Sequence, residues 1–208
     1  MTTSGILKLA LIVGSTRPNR FADVPAQWVV HGAAERSDVS LDVLDLRDWP
    51  LPFYDEPTTP LATGGAYSNP VAERWRRRIG EFDGYIATVA EYNHAPTAVL
   101  KNAFDSAHYE WGHKPISFVA YGGVGGARAV EQLRMTAVEL QMAPIKQAVH
   151  IGMEPFVGIL QQGRALDDYP YLTQSRTVMF DQLAWWARAL RTARQAPGSA
   201  AAAASRAA

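Results

Sequence analysis

The chain has 208 residues, 20 basic against 20 acidic, with 48% hydrophobic and 19% charged side chains, which fits one domain with a substantial core. A formal net charge of zero supplies no global field to draw nucleic acid or an anionic membrane, so any anion site must be local. The absence of cysteine excludes disulfides, thiolate nucleophiles, iron–sulfur ligation and cysteine-based zinc sites.

In chain order, Leu7–Val13 is an apolar run with only Lys8 within it, as expected of a central strand covered on both faces. Its length also suits a signal-peptide core. No small-residue cleavage pattern follows, only Gly-Ser-Thr-Arg-Pro, so a strand and a cytoplasmic location are expected. No apolar run approaches the roughly 20 residues that cross a bilayer. Val39–Leu46 alternates and reads as a strand nearer an edge. Trp49 to Ser68 is rich in Pro, Gly and Thr, a long loop suspected as a lid. Ser68 or Asn69 then caps a helix with Pro70 in its first turn, running through Trp75 and Ile79 and stopping near Gly84.

Tyr85–Val89 and Ile116–Tyr121 are continuous apolar strands, and Ile145–Ile151 reads as a fifth. Between them lie helical stripes: Leu100, Ala103, Phe104 and Ala107, with Lys101 and Asp105 paired across i,i+4, and then Val130, Leu133, Ala137 and Leu140. Glu154 to Thr173 reads as irregular. Met179, Leu183, Trp186 and Leu190 mark the last helix. Five strands alternating with helices match an α/β fold of flavodoxin-like order 2-1-3-4-5, a five-stranded parallel sheet with helices on both faces. Residues 1–193 are expected to form this one domain, and 194–208 a disordered, alanine-rich tail without function.

In that topology ligands bind beyond the carboxyl ends of the strands, between the first and third, so three loops matter. The first, Gly14-Ser15-Thr16-Arg17-Pro18-Asn19-Arg20, is neither a Walker A loop nor GxGxxG. It offers hydroxyls and two arginines before a helix N-terminus, a local anion sink, or else an ordinary turn with solvated arginines. The second, Glu91-Tyr92-Asn93-His94, presents an amide suited to a uracil-like edge, a flat ring and an acid–base pair. Alternatively Glu91 caps neighbouring N–H groups and His94 is merely exposed. The third, Tyr121-Gly122-Gly123-Val124-Gly125-Gly126, is a poor dinucleotide fingerprint because it follows the fourth strand. Its glycines read as a place of close backbone approach to a ligand rather than as packing.

Gly14-Ser15-Thr16-Arg17, Glu91-Tyr92-Asn93-His94 with Leu100-Lys101-Asn102-Ala103, and Tyr121-Gly122-Gly123 through Arg128-Ala129 and Leu133-Arg134 resemble the NADPH-dependent FMN reductase family. Leu51-Pro52-Phe53-Tyr54-Asp55-Glu56 matches as well, and the resemblance runs from about Leu7 to His150. It implies non-covalent FMN, NADPH or NADH as co-substrate, hydride transfer to a flavin, quinone or similar small-molecule acceptor, and chemistry carried by the cofactor rather than by a catalytic side chain or metal. By this resemblance Ser15, Arg17, Asn19 and Arg20 hold the FMN phosphate. Glu91, Tyr92, Asn93 and His94 line the ribityl chain and ring, and Tyr121, Gly122, Gly123 and Gly125 meet the pyrimidine edge. The sequence departs at Ala90, where the family usually has proline, which implies a looser entry to that loop. A flavodoxin-type electron carrier is the alternative, although zero net charge offers little for charge-guided docking. The family is often dimeric or tetrameric. Trp75, Trp111, Trp185 and Trp186 are candidate interface anchors, Trp111 foremost, with helix-to-sheet packing as the alternative for Trp75 and Trp186.

Overall fold

The computed structural model describes residues 5–197. Its elements run β1 (Leu7–Val13), α1 (Asp23–Ala34), β2 (Val39–Asp45), α2 (Pro70–Gly80), β3 (Gly84–Ala90), α3 (Ala98–Asp105), β4 (Pro115–Tyr121), α4 (Ala127–Glu139), β5 (Ala143–Pro144), β6 (Val149–Ile151), α5 (Met153–Gln162) and α6 (Pro170–Gln195). All strand pairs are parallel, in the order β2-β1-β3-β4-β5, with β6 also pairing β4. The expected order is therefore present.

The burial of the strands follows their position. β3 and β4 are buried at every residue, and β1 at all but Lys8, because helices cover both faces. β2, at the edge, leaves Val43 half in water. One face of the sheet carries α1, α5 and α6 over Leu9, Leu11 and Val119. The other carries α2, α3 and α4 over Ile12, Tyr85 and Phe118. Burying chains of this size contributes about 1.5–3 kcal/mol each, which drives the helices onto the sheet.

Four sequence expectations are changed. The fifth strand is split: β5 and β6 are separate short pieces, with Ser117 Oγ donating to Gln147 O at 2.7 Å across the gap. The span Glu154–Thr173 is not irregular throughout, since α5 occupies Met153–Gln162 and ends on Gly163 at φ +66°, a left-handed terminator. Trp111 is fully buried, not an interface anchor. Its indole donates to Phe104 O at 3.1 Å and packs edge-on against Tyr85, Phe104 and Trp75, itself fully buried. Finally, α6 continues through Gln195, and Arg194 donates to His113 O at 2.6 Å, so the ordered chain extends past 193. The remainder of the expected tail, 198–208, lies outside the described residues.

At the end of the sheet opposite the strand-end loops, buried Lys114 donates to Ile79 O, Gly80 O and the Tyr85 hydroxyl. It caps the C-terminus of α2 with a cation where the helix dipole is negative. Burial pushes its ammonium down to about 7, helped by the neighbouring charge of Arg194 and opposed by Asp83 and Glu110.

Candidate functional site

The carboxyl ends of β1, β3 and β4 lie side by side, and the three loops that follow them are bonded to one another. Gly14 N donates to Thr88 Oγ1 at 3.0 Å, and Thr97 Oγ1 donates to Gly14 O at 2.6 Å. Ser15 Oγ is 3.4 Å from the Tyr92 hydroxyl, and the Arg17 guanidinium lies 5.8 Å from the Tyr92 ring centre. Glu91 N donates to Tyr121 O at 3.1 Å. A side chain at Gly14 would run into Thr88 O and Leu100, so glycine is what lets β1 turn out of the sheet here.

The two arginines of the first loop have opposite environments. Arg20 has 3% of its side chain exposed. Its Nε and Nη2 donate to Asp23 Oδ1 at 2.8 and 2.6 Å, Nη1 donates to Asp45 Oδ1 at 2.7 Å and to Ser15 O, and Nη2 also donates to Asp45 Oδ2. A guanidinium carries five N–H groups, and all five are used. The hydrogen bond to Asp45 leads the effects that raise its pKa. Arg20 therefore ties the loop to β2 and α1 and has no donor left for a phosphate, which alters the role expected of it. Arg17 is exposed and has no ion-pair partner among the described residues. The N–H of Arg17 makes only a long 3.5 Å bond to Ser15 Oγ, and Thr16 N has no acceptor among the described residues. Ser15 is buried with its hydroxyl in the loop, whereas Asn19 is exposed at φ +52°.

The second loop is a tight turn. Tyr92 N donates to Ala95 O at 2.8 Å and Ala95 N returns the bond to Tyr92 O at 3.0 Å. Asn93 and His94 between them sit at φ +51° and +69°, the pattern of a type I′ hairpin turn, in which Asn is favoured. Glu91 anchors the turn from below. Its carboxylate accepts from the backbone N of Arg128 at 3.1 Å and from Arg128 Nε at 2.5 Å, so it caps α4 and pairs with that helix's first cation. Burial opposes its charge, but these bonds from Arg128 hold its pKa below the ordinary value. Arg128 Nη1 also reaches His94 Nε2 at 2.7 Å. An arginine cannot accept, so in this contact Nε2 is the acceptor. Glu91 thus takes the capping role, and neither it nor His94 forms an acid–base pair with the other. The side chain of Asn93 is exposed and has no hydrogen-bond partner among the described residues. Ala90 ends β3 in register with Tyr121, and the doubly bonded turn and the Glu91–Arg128 clasp replace the stiffness expected of a proline there.

The glycines of the third loop divide. Gly122, Gly125 and Gly126 have φ of +149°, +66° and +71°, and a Cβ on Gly126 would meet Ala120 Cβ at 2.7 Å. These three are required by the chain's own turn into α4, contrary to the expectation that none serves packing. Gly123 has nothing within 4 Å of the place its Cβ would occupy, and neither its N–H nor that of Val124 finds an acceptor among the described residues. Tyr121 is buried against Phe21, ring centres 5.0 Å apart, so it supports the loop from below rather than presenting its ring.

Among the described residues these loops therefore offer a guanidinium with no ion pair, an exposed amide, and N–H groups without acceptors beside open space. That donor set fits a flavin mononucleotide, with its anionic phosphate and the acceptor-rich pyrimidine edge of its ring. Two supports escaped the sequence reading. Arg128 was placed only within a motif, and nothing in its local spacing shows its bond to Glu91, 37 residues away. Asn102 accepts from Tyr54 N at 3.0 Å and donates to Pro52 O at 2.7 Å, pinning the long 49–68 loop to α3. Behind the first loop, on its β2 side, lies a recess of about 320 Å³ between the ends of β2, that pinned loop and α3.

Comparison with known proteins identifies the family. Residues 7–155 match the family described as NADPH-dependent FMN reductase. An NAD(P)H-dependent FMN reductase of Schizosaccharomyces pombe is 32% identical over 72% of this chain and 76% of its own length. An NAD(P)H:quinone oxidoreductase of Solanum tuberosum is 30% identical over 85% of this chain and 88% of its own. Among solved structures, the flavoenzyme NAD(P)H:(acceptor) oxidoreductase FerB of Paracoccus denitrificans superposes with a TM-score of 0.67 at 22% identity, covering 88% of this chain and 97% of that one, a likeness of fold.

Proposed function

Because the chain belongs to the NADPH-dependent FMN reductase family, we propose that its strand-end loops hold FMN for NAD(P)H-dependent reduction of a flavin, quinone or similar small-molecule acceptor. FMN, when bound, supplies the chemistry: two-electron transfer from a reduced nicotinamide to the acceptor. The chain's own residues bind and orient. Arg17, with the N–H groups of Thr16 and Arg17 and the Ser15 hydroxyl, receives the phosphate, and Asn19 stands at the outer edge of that loop. Tyr92 and Asn93 flank the ring, His94 and Glu91 hold the turn that presents them, the N–H groups of Gly123 and Val124 face the pyrimidine edge, and Gly122 and Gly125 shape the loop that carries them. Arg20 acts one step back by fixing Ser15 O. The observation that carries this reading is the contrast between Arg17, without an ion pair among the described residues, and Arg20, whose donors are all used.

The relatives named above carry nicotinamide-dependent names, which disfavours the electron-carrier reading. Residues 1–193 serve as the reductase domain in this proposal. We also infer a homodimer or homotetramer working in the cytoplasm. The exposed ring pair of Trp185 and Trp186, 5.3 Å apart, supports association, and among the described residues no helix is long and apolar enough to cross a membrane. Purified protein is expected to be yellow or to turn yellow with FMN, to oxidise NADPH or NADH when FMN or a benzoquinone is added, and to elute above its 22.8 kDa chain mass. A colourless protein that neither binds FMN nor oxidises nicotinamide would overturn the enzyme reading, and elution as a monomer the oligomer.

A further inference from the structure

We propose that the recess behind the first loop is a second small-molecule subsite, one that takes a planar aromatic ring bearing an anionic group. The inference goes beyond FMN binding, because the recess opens on the β2 flank of the loop and shares only Thr16 with it. Its volume of about 320 Å³ lies at the small end of ligand pockets, roughly 300–1,000 Å³, enough for one ring system and its substituent but not for a whole dinucleotide. Leu46, Trp49, Leu51 and Val99 give it apolar walls. Trp49 is held edge-on by buried Trp75 at 5.2 Å, and the Leu51 segment is fixed through Asn102, so the walls are preformed.

The polar end is Arg47. Among the described residues its guanidinium makes one hydrogen bond, to Arg17 O, and a loose ion pair with Asp23 at 3.9 Å. The two carboxylates nearest it, Asp23 and Asp45, are already bound by Arg20. Arg47 therefore lines an apolar slot with a charge only loosely paired and with donors to spare among the described residues, an arrangement that favours a ring with a carboxylate, sulfonate or phosphate over a neutral ring of the same size. Two sources share that chemistry: the 2′-phosphoadenosine end of NADPH, and an aromatic acceptor with an acidic substituent.

The test titrates the FMN-loaded protein calorimetrically with 2′,5′-ADP, using 5′-AMP as the control lacking the 2′-phosphate, and with 2-naphthoate, using 2-naphthalenemethanol as the neutral control. At least one anionic ligand is expected to bind, about tenfold or more tighter than its control, the worth of a charge-assisted hydrogen bond. Val99→Phe, which fills the slot from α3, is expected to weaken that binding by about tenfold while FMN affinity, measured on the same preparation, stays within about twofold. Arg47→Gln, which keeps a donor for Arg17 O, is expected to erase the preference for the anion. Binding of 2′,5′-ADP supports the nucleotide source, and binding of naphthoate the acceptor source. Failure of both anions to bind at millimolar concentration, or unchanged binding to the Val99→Phe and Arg47→Gln proteins, overturns the subsite. Loss of FMN by the parent protein would instead count against the flavin site.

Discussion

Replacing each loop arginine by methionine separates what the two do. Arg20 is nearly enclosed, and its loss strips Asp45, itself only 24% exposed, of its counter-charge and leaves Ser15 O without its donor. Breaking a buried pair costs about 3–5 kcal/mol. Here Asp23 is nearly half in water, so about 2–4 kcal/mol is expected. For a chain of this size that lowers Tm by roughly 5–15 °C. Among the described residues Arg17 has no ion pair to lose, and its removal from the apoprotein is expected to stay within about 0.5 kcal/mol. Losing its hydrogen bond to a phosphate costs about 1.5–3 kcal/mol of FMN affinity, roughly 10- to 150-fold in Kd. Thermal melts of the apoproteins give the first quantity and quenching of flavin fluorescence the second. If R17M melted as low as R20M, or bound FMN as tightly as the parent protein, the division of labour argued from their hydrogen bonds would be wrong.

Gly123→Ala is expected to leave the melt within about 0.5 kcal/mol, since its Cβ meets open space, while lowering flavin affinity. Gly126→Ala, forced to φ +71° against Ala120, costs about 1–3 kcal/mol in the same melts. The lowered pKa of Lys114 makes the unfolded chain bind more protons than the folded one between about pH 7 and the ordinary lysine value of 10.5. Stability therefore rises with pH across that window, by at most about 1.4 kcal/mol per pH unit. Urea titrations should show this rise in the parent protein and not in K114M. For Glu91, whose pKa is depressed, the contribution is present at neutral pH and lost as pH falls through the folded value. Glu91→Gln is expected to destabilise at pH 7 by about 1–3 kcal/mol, and the gap to the parent should close in acid.

The strands were legible because β1, β3 and β4 are mostly apolar, broken only by Lys8, Thr88 and Ser117, as a doubly covered sheet requires. The cap of α2 was legible for a local reason too: Asn69 Oδ1 accepts from Val71 N and Ala72 N. What escaped was set by distant partners. α5 hides behind Pro155 and Gly158, which break a helical pattern on paper, yet both are buried in its packing face. Trp111 follows a loop in sequence, and only the fold shows the Trp75, Tyr85 and Phe104 rings around it. In the candidate site, the three loops follow from the strand ends alone. Which arginine remains open depends on Asp45, 25 residues from Arg20, and no local spacing records that pairing. The glycine loop was over-read for a related reason: glycines that serve a turn and one that faces open space look alike in a sequence.

A crystal structure of the FMN complex addresses the central claim most directly. The expected result is the phosphate within hydrogen-bond distance of the Arg17 guanidinium and the Thr16 N–H, clear of Arg20, with the pyrimidine edge of the ring against the N–H groups of Gly123 and Val124. A flavin bound elsewhere on the molecule, or a phosphate held by Arg20 after it leaves Asp23 and Asp45, would contradict it.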